Sequence, residues 1–269
     1  MKNLNQVNND FLSISSKKIR NLIEQGYYDT SYKINQNSTS LKQILLNDNE
    51  FYPIITEIKF SSPSLGKINK NMGKEKEILK MMEKGGASAI SVLTQPLFFD
   101  GSLKNLETVR ENTNLPILMK DIIIDKKQID AGFKLGANII LLIETLYKNQ
   151  SQKLDELISI ANERGLEILL EVNTSEELEK ASKRDVTIIG INNRNLNTLE
   201  LDMNTTEKIL SEKIMINQPI ISESGIFNSK DLQRIGKTRV SGFLIGTSIM
   251  GSRDIEGKVR ELSTVKKWT

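Results

Sequence analysis

Residues 137–172 read ANIILLIETLYKNQSQKLDELISIANERGLEILLEV, and this stretch decides the fold. Positions 139–143 are all Ile or Leu, with no polar alternation, as expected of a strand covered on both faces. Leu154, Leu157, Ile158 and Ala161 follow at i, i+3, i+4 and i+7, the stripe of an amphipathic helix, with Ser151 placed as its N-cap. Gly165 punctuates the helix end, and the apolar run 167–172 opens a second strand. Strand, helix, strand at this spacing is a parallel unit with a right-handed crossover.

Working outward, the same pattern recurs along the chain. Short apolar runs lie at 52–58, 89–93, 116–119, 139–143, 167–172, 186–191, 219–222 and 241–245. Between them, Thr174-x-x-Glu177 predicts a capping box before Leu178 and Ala181, and Asn204-x-x-Glu207 and Asn228-x-x-Asp231 are looser start signals. Leu103, Leu106 and Val109 give another apolar stripe, and Gly85-Gly86 and Gly136 stand where helices should end. Eight alternating units predict an α/β protein, a closed (β/α)8 TIM barrel. An open doubly wound sheet is the alternative, disfavoured because no Gly-x-Gly-x-x-Gly follows the first strand.

The chain of 269 residues suits one barrel of roughly 250 residues with a short addition. We therefore divide it into an N-terminal helical extension packed on the barrel, 1–48, and a catalytic barrel, 49–269, forming one domain overall. The extension is expected to hold a helix at 11–23, with Ile19, Leu22 and Ile23 as its apolar face, and a shorter one at 40–46. These helices either plug or pad the barrel bottom or form a flap over its mouth. Residues 1–10 are polar and Asn-rich, with no apolar signal core.

Composition narrows the chemistry. There is no cysteine, which removes disulfides, thiolate nucleophiles and Cys-ligated metals. There is no histidine, which removes Ser-His-Asp and Cys-His mechanisms and HExxH metal sites. Acids and bases must come from Lys, Glu, Asp or Tyr. A net charge of +3 calls for no nucleic acid and permits a small anionic substrate. No apolar run approaches the roughly 20 residues of a membrane span. No membrane partner is expected, the cytoplasm is the default compartment, and a monomer is the favoured state.

Barrel active sites sit at the carboxyl ends of the strands. Glu57 and Lys59, two apart, point together into the mouth. Lys120-Asp121 ends the third run, Glu171 lies near the end of the fifth, and Asn192-Asn193-Arg194 ends the sixth. Ser222-Glu223-Ser224-Gly225 ends the seventh and Gly246-Thr247-Ser248 the eighth. Lysines, glutamates and an arginine converging on one rim need mutual neutralisation or an anionic ligand, and at close range they shift one another's proton affinities. The small residues at the last two strand ends let backbone N–H groups approach an anion, the usual phosphate site of barrels.

These motifs resemble a known family. Glu57-Ile-Lys59-Phe-Ser-Ser62-Pro-Ser64-x-Gly66, Gly86-Ala-Ser-Ala-Ile-Ser-Val-Leu-Thr94 and Phe99-x-Gly101-Ser102-Leu103 resemble stretches of indole-3-glycerol phosphate synthase. So do Pro116-Ile-Leu-Met-Lys120-Asp121, Leu170-Glu171-Val172, Ile189-Gly-Ile-Asn192-Asn193-Arg194-Asn195-Leu196, Ser222-Glu223-Ser224-Gly225-Ile226 and Gly246-Thr-Ser-Ile-Met250. They run in the family's order from about residue 40 onward. The resemblance implies ring closure, decarboxylation and dehydration of 1-(2-carboxyphenylamino)-1-deoxyribulose 5-phosphate in tryptophan biosynthesis. It also implies no metal and no cofactor, which agrees with a chain lacking His and Cys.

The resemblance also implies roles. Lys120 would protonate the ketone oxygen. Lys59, near Glu57, would hold the substrate carboxylate and serve the dehydration. Glu171 would be a base or stabilise the cationic ring, with Asn192 orienting it and contacting substrate hydroxyls. Glu223 would sit beside the ring-closing centre. Ser62, Arg194, Ser224, Gly225, Gly246 and Thr247 would hold the phosphate side, and Phe99, Leu141 and Leu196 would flank the aromatic ring. The chain departs from the family at Ile122, where Phe is common, at Phe60, where a basic residue is common, and at Lys67 and Lys70 in the first loop. Two rivals remain at this stage. Phosphoribosylanthranilate isomerase, another phosphate-binding barrel, typically needs a Cys that is missing here; a ligand-binding barrel without turnover would be expected to have lost a rim lysine or glutamate.

Overall fold

A strand that is apolar on both sides has no face to offer water, so each of the eight runs must be covered from within and from without. The computed structural model, which describes residues 11–34 and 39–268, shows how this is met. The strands are β1 (Ile54–Ile58), β2 (Ala89–Leu93), β3 (Ile117–Lys120), β4 (Ile139–Ile143), β5 (Glu167–Val172), β6 (Ile188–Asn192), β7 (Ile220–Glu223) and β8 (Gly242–Ile245). Each pairs in parallel with its sequence neighbours, and β8 closes on β1 with Ile54 opposite Phe243 and Ile55 opposite Leu244. Helices such as Glu75–Lys84, Lys126–Lys134, Ser151–Glu163 and Ile255–Ser263 cover the outside. Inside, the strand residues are buried almost throughout. The predicted closed barrel is the observed one.

The differences from the sequence reading are local. Strands β3, β6 and β7 run one residue further than their apolar runs, so Lys120, Asn192 and Glu223 are themselves strand residues. Their ladder partners are Leu93 for Lys120, and Asn192 and Glu223 for each other. Hydrophobicity ends early there because the mouth carries charge. Ser151 is not an N-cap: it is the first helical residue, and its hydroxyl accepts from Arg184 at 3.0 Å. Asn228 and Asp231 form a full capping box, whereas the side chain of Asn204 makes no cap and accepts from Arg234 instead. Thr174 caps through Glu177 N, but the Glu177 carboxylate turns back one residue earlier, to Asn173 N.

The residues before the barrel serve both of its ends. Helix Phe11–Glu24 buries Phe11, Leu12, Ser15 and Ile19, while Leu22 and Ile23 are only half-buried. The expected face, Ile19, Leu22 and Ile23, does pack on the core, and the buried surface extends further toward the helix start than expected. The reason is Phe11, which packs edge-on against Phe98 in the loop after β2, with centroids 5.2 Å apart. Tyr27 donates to Thr94 O and Tyr28 to Asp121, both at strand ends on the mouth side. Helix Leu41–Leu46 lies at the opposite end. Leu45 packs over Gly242, the first residue of β8, where a Cβ would come within 2.7 Å of it. Glu167, the first residue of β5, accepts from Leu41 N at 3.0 Å and from Ser40 Oγ. The polar run 1–10 lies outside the described residues.

Glu167 thus supplies a carboxylate to the positive end of a six-residue helix. Glu167→Ala is expected to lower stability by about 1–2 kcal/mol, the usual range for losing a charged helix cap. A urea titration would show this as a lower midpoint at unchanged slope; an unchanged midpoint would mean that the bottom helix is held by Leu41 and Leu45 alone.

Candidate active site

Side chains alternate along a strand, so the last inward-facing residue of each strand reaches the mouth. On β1 this is Glu57, followed by Lys59 just past the strand end; on β3 it is Lys120, on β5 Glu171, on β6 Asn192 and on β7 Glu223. Strands β3 and β7 stand on opposite sides of the barrel. Lys120 crosses between them: its Nζ lies 2.5 Å from Glu223 Oε2 and 3.7 Å from Glu57 Oε2. Lys59 Nζ takes the other oxygen of Glu57 at 2.5 Å. Glu171 accepts from Asn192 Nδ2 at 2.8 Å, and Asn192 is itself held by Asn173, whose Nδ2 donates to its carbonyl at 2.6 Å.

Burial and charge set the protonation states. Burial alone would raise the proton affinity of Glu57, but Lys59 and Lys120 outweigh it and hold the carboxyl below its ordinary range. Burial works against the Lys120 cation, yet Glu223, Glu57 and Glu171 together keep its affinity well above the usual lysine value. Glu171 goes the other way. Burial and the charge of Glu223 push it up to about 7, against the pull of Lys120 and Asn192. Asp121 is pushed up to about 6 by burial, opposed by hydrogen bonds from Thr94, Tyr28 and Ile122 N.

The mouth holds a partly open cavity. Every residue that the resemblance gives a role lines it except Glu223, which lies beneath with no exposure and reaches it only through Lys120. Phe99, Leu141 and Leu196 form part of an apolar wall, extended by Phe11, Ile122 and Ile143. Ser62 enters from a short antiparallel hairpin in which Ser61–Ser62 pairs with Gly66–Lys67. Arg194, half-buried, donates to Leu199 O at 2.7 Å. Ser224 and Gly225 both adopt left-handed backbone, at φ 67° and 76°. For serine this is strained, and Asn193 holds it by donating to Ser224 O at 3.0 Å. Gly246 and Thr247 begin the short helix Thr247–Met250, and Ser248 Oγ ties this turn to the β7 turn through Ile226 O.

Sequence reasoning missed several partners. Ser91, the ladder partner of Glu57, donates to it at 3.4 Å. Thr94 and Tyr28 converge on Asp121. Asn173 acts from beneath the rim, and Phe11 comes from outside the barrel. Only Gly190 left a visible trace, as a lone glycine inside an apolar strand.

Fold and site together define the class: a (β/α)8-barrel enzyme whose mouth gathers lysines and glutamates. The model of the family described as indole-3-glycerol phosphate synthase matches residues 12–262. A Bacillus cereus protein of that name is 41% identical over 245 residues, covering 90% of this chain and 93% of the relative. One from Methanocaldococcus jannaschii is 46% identical over 210 residues, covering 78% and 77%. Among solved structures, a protein of Aquifex aeolicus VF5 superposes with a TM-score of 0.61 at 12% identity, over 84% of this chain and 98% of that one. Thiamine phosphate pyrophosphorylase from Pyrococcus furiosus superposes with a TM-score of 0.53 at 18% identity, covering 80% and 94%. These two likenesses show the shared barrel only. The chain belongs to the indole-3-glycerol phosphate synthase family. Among the described residues no helix is long and apolar enough to cross a membrane.

The raised affinity of Glu171 has a consequence for stability. The folded state binds this proton more tightly than the unfolded chain, so the contribution is fully present below the unfolded value near 4.5 and is lost as pH rises through about 7. Between pH 5 and 8 the protein is expected to lose stability relative to Glu171→Gln, by an amount of the order of 3 kcal/mol at most. Denaturant midpoints of both proteins at the two pH values test this; parallel pH dependence would mean that Glu171 is not the titrating group.

Proposed function

We propose that the mouth converts 1-(2-carboxyphenylamino)-1-deoxyribulose 5-phosphate to indole-3-glycerol phosphate, carbon dioxide and water. The observation that carries the residue assignment is the half-buried Lys120 ammonium, hydrogen-bonded to Glu223 and near Glu57, at the centre of the rim. In this reading the substrate's aromatic ring lies against Phe99, Leu141 and Leu196. Its phosphate lies toward Ser62, Arg194, Ser224, Gly225, Gly246 and Thr247, where small residues and left-handed backbone support an anion.

The ring carbon bearing the carboxylate attacks the ketone carbon, and the ketone oxygen takes a proton from Lys120. Lys120 holds its proton tightly, but the oxygen becomes an alkoxide as the bond closes, a stronger base than an amine, so the transfer runs downhill. The carbon–carboxylate bond then breaks, its electron pair restores the aromatic ring, and carbon dioxide leaves. Lys59, paired with Glu57 and placed to hold the carboxylate, gives a proton to the new hydroxyl, which departs as water. Glu171 takes the proton lost from the adjacent methylene, completing the indole. Asn192 orients Glu171 and contacts the substrate hydroxyls. As a carboxylate, Glu171 also stabilises positive charge on the nitrogen-conjugated ring before water leaves. Two protons are given and one is taken, which matches the conversion of a carboxylate to neutral carbon dioxide.

Purified protein is expected to form a fluorescent indole product from this substrate without added metal, and absence of product at micromolar enzyme would overturn the reading. Lys120→Ala should lower kcat at least about a hundredfold, the scale of a general acid, with the circular dichroism of the fold retained. A nearly normal kcat would place the acid elsewhere.

The pH profile is a separate test. Glu171 must be ionised to act, so kcat should fall as pH drops below about 7. Glu171→Gln should be slow and lack that limb; a limb that persists in the variant would belong to another group.

A further inference from the structure

One oxygen in the cluster has no partner. Glu223 Oε2 takes the Lys120 ammonium, but Glu223 Oε1 is buried and accepts no hydrogen bond. It rests against Gly190, the middle residue of β6. Gly190 lies two residues before Asn192, so both positions face the barrel interior. A Cβ at Gly190 would stand 2.2 Å from Glu223 Oε1, 3.3 Å from Glu223 Cδ and 3.2 Å from Leu169 Cδ1. Gly190 is not among the residues with positive φ, so its backbone does not demand glycine. A glycine inside a strand weakens it. What this position needs is the empty space.

We propose that Gly190 is a positioning residue: its missing side chain is the seat in which the Glu223 carboxylate lies, and this seat sets where Lys120 presents its proton. The proposal rests on the assignment of Lys120 as the acid. A methyl group at 190 needs roughly 1 Å more room than the carboxylate leaves, judged by ordinary van der Waals spacing. The strand around it is locked in ladders with β5 and β7, through Glu171 and Ile221, whereas the obstructing oxygen ends a flexible side chain. The carboxylate therefore yields rather than the fold. Lys120 is bonded to the other oxygen of the same group and moves with it. The arrangement recurs at the other carboxylate beside Lys120: a Cβ at Gly246 would stand 2.5 Å from Glu57 Oε1. Gly246 lines the cavity and Gly190 does not, so Gly190 separates seating from substrate contact.

The test compares the wild-type chain, Gly190→Ala, Glu223→Asp and the double variant in steady-state turnover of the carboxyphenylamino deoxyribulose phosphate. Gly190→Ala should lower kcat about thirtyfold to a hundredfold, the cost of a misplacement near 1 Å, with KM within about threefold. Aspartate is shorter by one methylene and withdraws from the new methyl group. The double variant should therefore be at least about tenfold faster than the product of the two single losses predicts. A Gly190→Ala kcat within about threefold of wild type would overturn the proposal on the scale set above. So would losses that simply multiply. If Gly190→Ala fails to fold and the double variant folds and turns over, the carboxylate is again the group in conflict. If both fail to fold, the glycine serves packing and the proposal falls. Wild-type protein without turnover would instead sink the functional reading, and this inference with it.

Discussion

Everything at the mouth depends on a lysine that bridges opposite walls of the barrel. Lys120 on β3 meets Glu223 on β7, with Glu57 of β1 close by. A buried cation is tolerable only with well-placed anions, and a buried anion only with donors. The cluster has two lysines, Lys59 and Lys120, and three glutamates, Glu57, Glu171 and Glu223. Glu57 has both lysines near it, and Glu223 shares Lys120 with it at the shorter distance. Glu171 has only the amide of Asn192. The surplus negative charge therefore falls on Glu171, whose proton affinity is raised while that of Glu57 is lowered. Glu171 titrates near neutrality because it is buried beside Glu223 and only partly offset by Lys120 and Asn192, whereas Glu57 is held down by both lysines.

The same strand end links this centre to the residues before the barrel. Lys120 and Asp121 are adjacent and both line the cavity. Lys120 joins the glutamates, and Asp121 accepts from Thr94 and Tyr28. Tyr28 lies just beyond helix Phe11–Glu24, whose first residue joins the cavity wall. The segment ahead of the first strand thus touches the residue next to the central lysine, while helix Leu41–Leu46 holds the opposite end of the barrel through Glu167. One extension therefore contacts both ends of the barrel.

What could be read in the sequence and what could not differ in physical kind. The strands were legible because burial on both faces leaves a dense apolar run, and the runs at 89–93, 139–143 and 167–172 coincide with β2, β4 and β5. The rim residues were legible because strand ends point to the mouth. The one-residue errors at Lys120, Asn192 and Glu223 have the same origin: hydrophobicity marks where a strand is covered, and these ends are neutralised by charge instead. The face of helix Phe11–Glu24 was read only in part, because Phe98, against which Phe11 packs, lies far away in sequence. The seat at Gly190 was hidden for the same reason. A glycine in Ile188–Asn192 shows that space is needed, but not that Glu223 fills it.

The cluster also bears on how an anionic substrate would orient. With Glu171 ionised, the two lysines and three glutamates carry one net negative charge at the reacting end. A substrate phosphate is repelled there. Across the cavity stand Arg194, the left-handed Ser224-Gly225 turn and the start of helix Thr247–Met250. A carboxylate can still approach the reacting end, because the Lys59 side chain is partly exposed and shares only one oxygen of Glu57. On the proposed reading, the two anionic ends of the substrate are therefore sorted by charge before any hydrogen bond is made. Burial strengthens the sorting, since fields between groups held out of water are weakly screened. A site without histidine can in this way fix the direction of its substrate with the same few charges that move its protons.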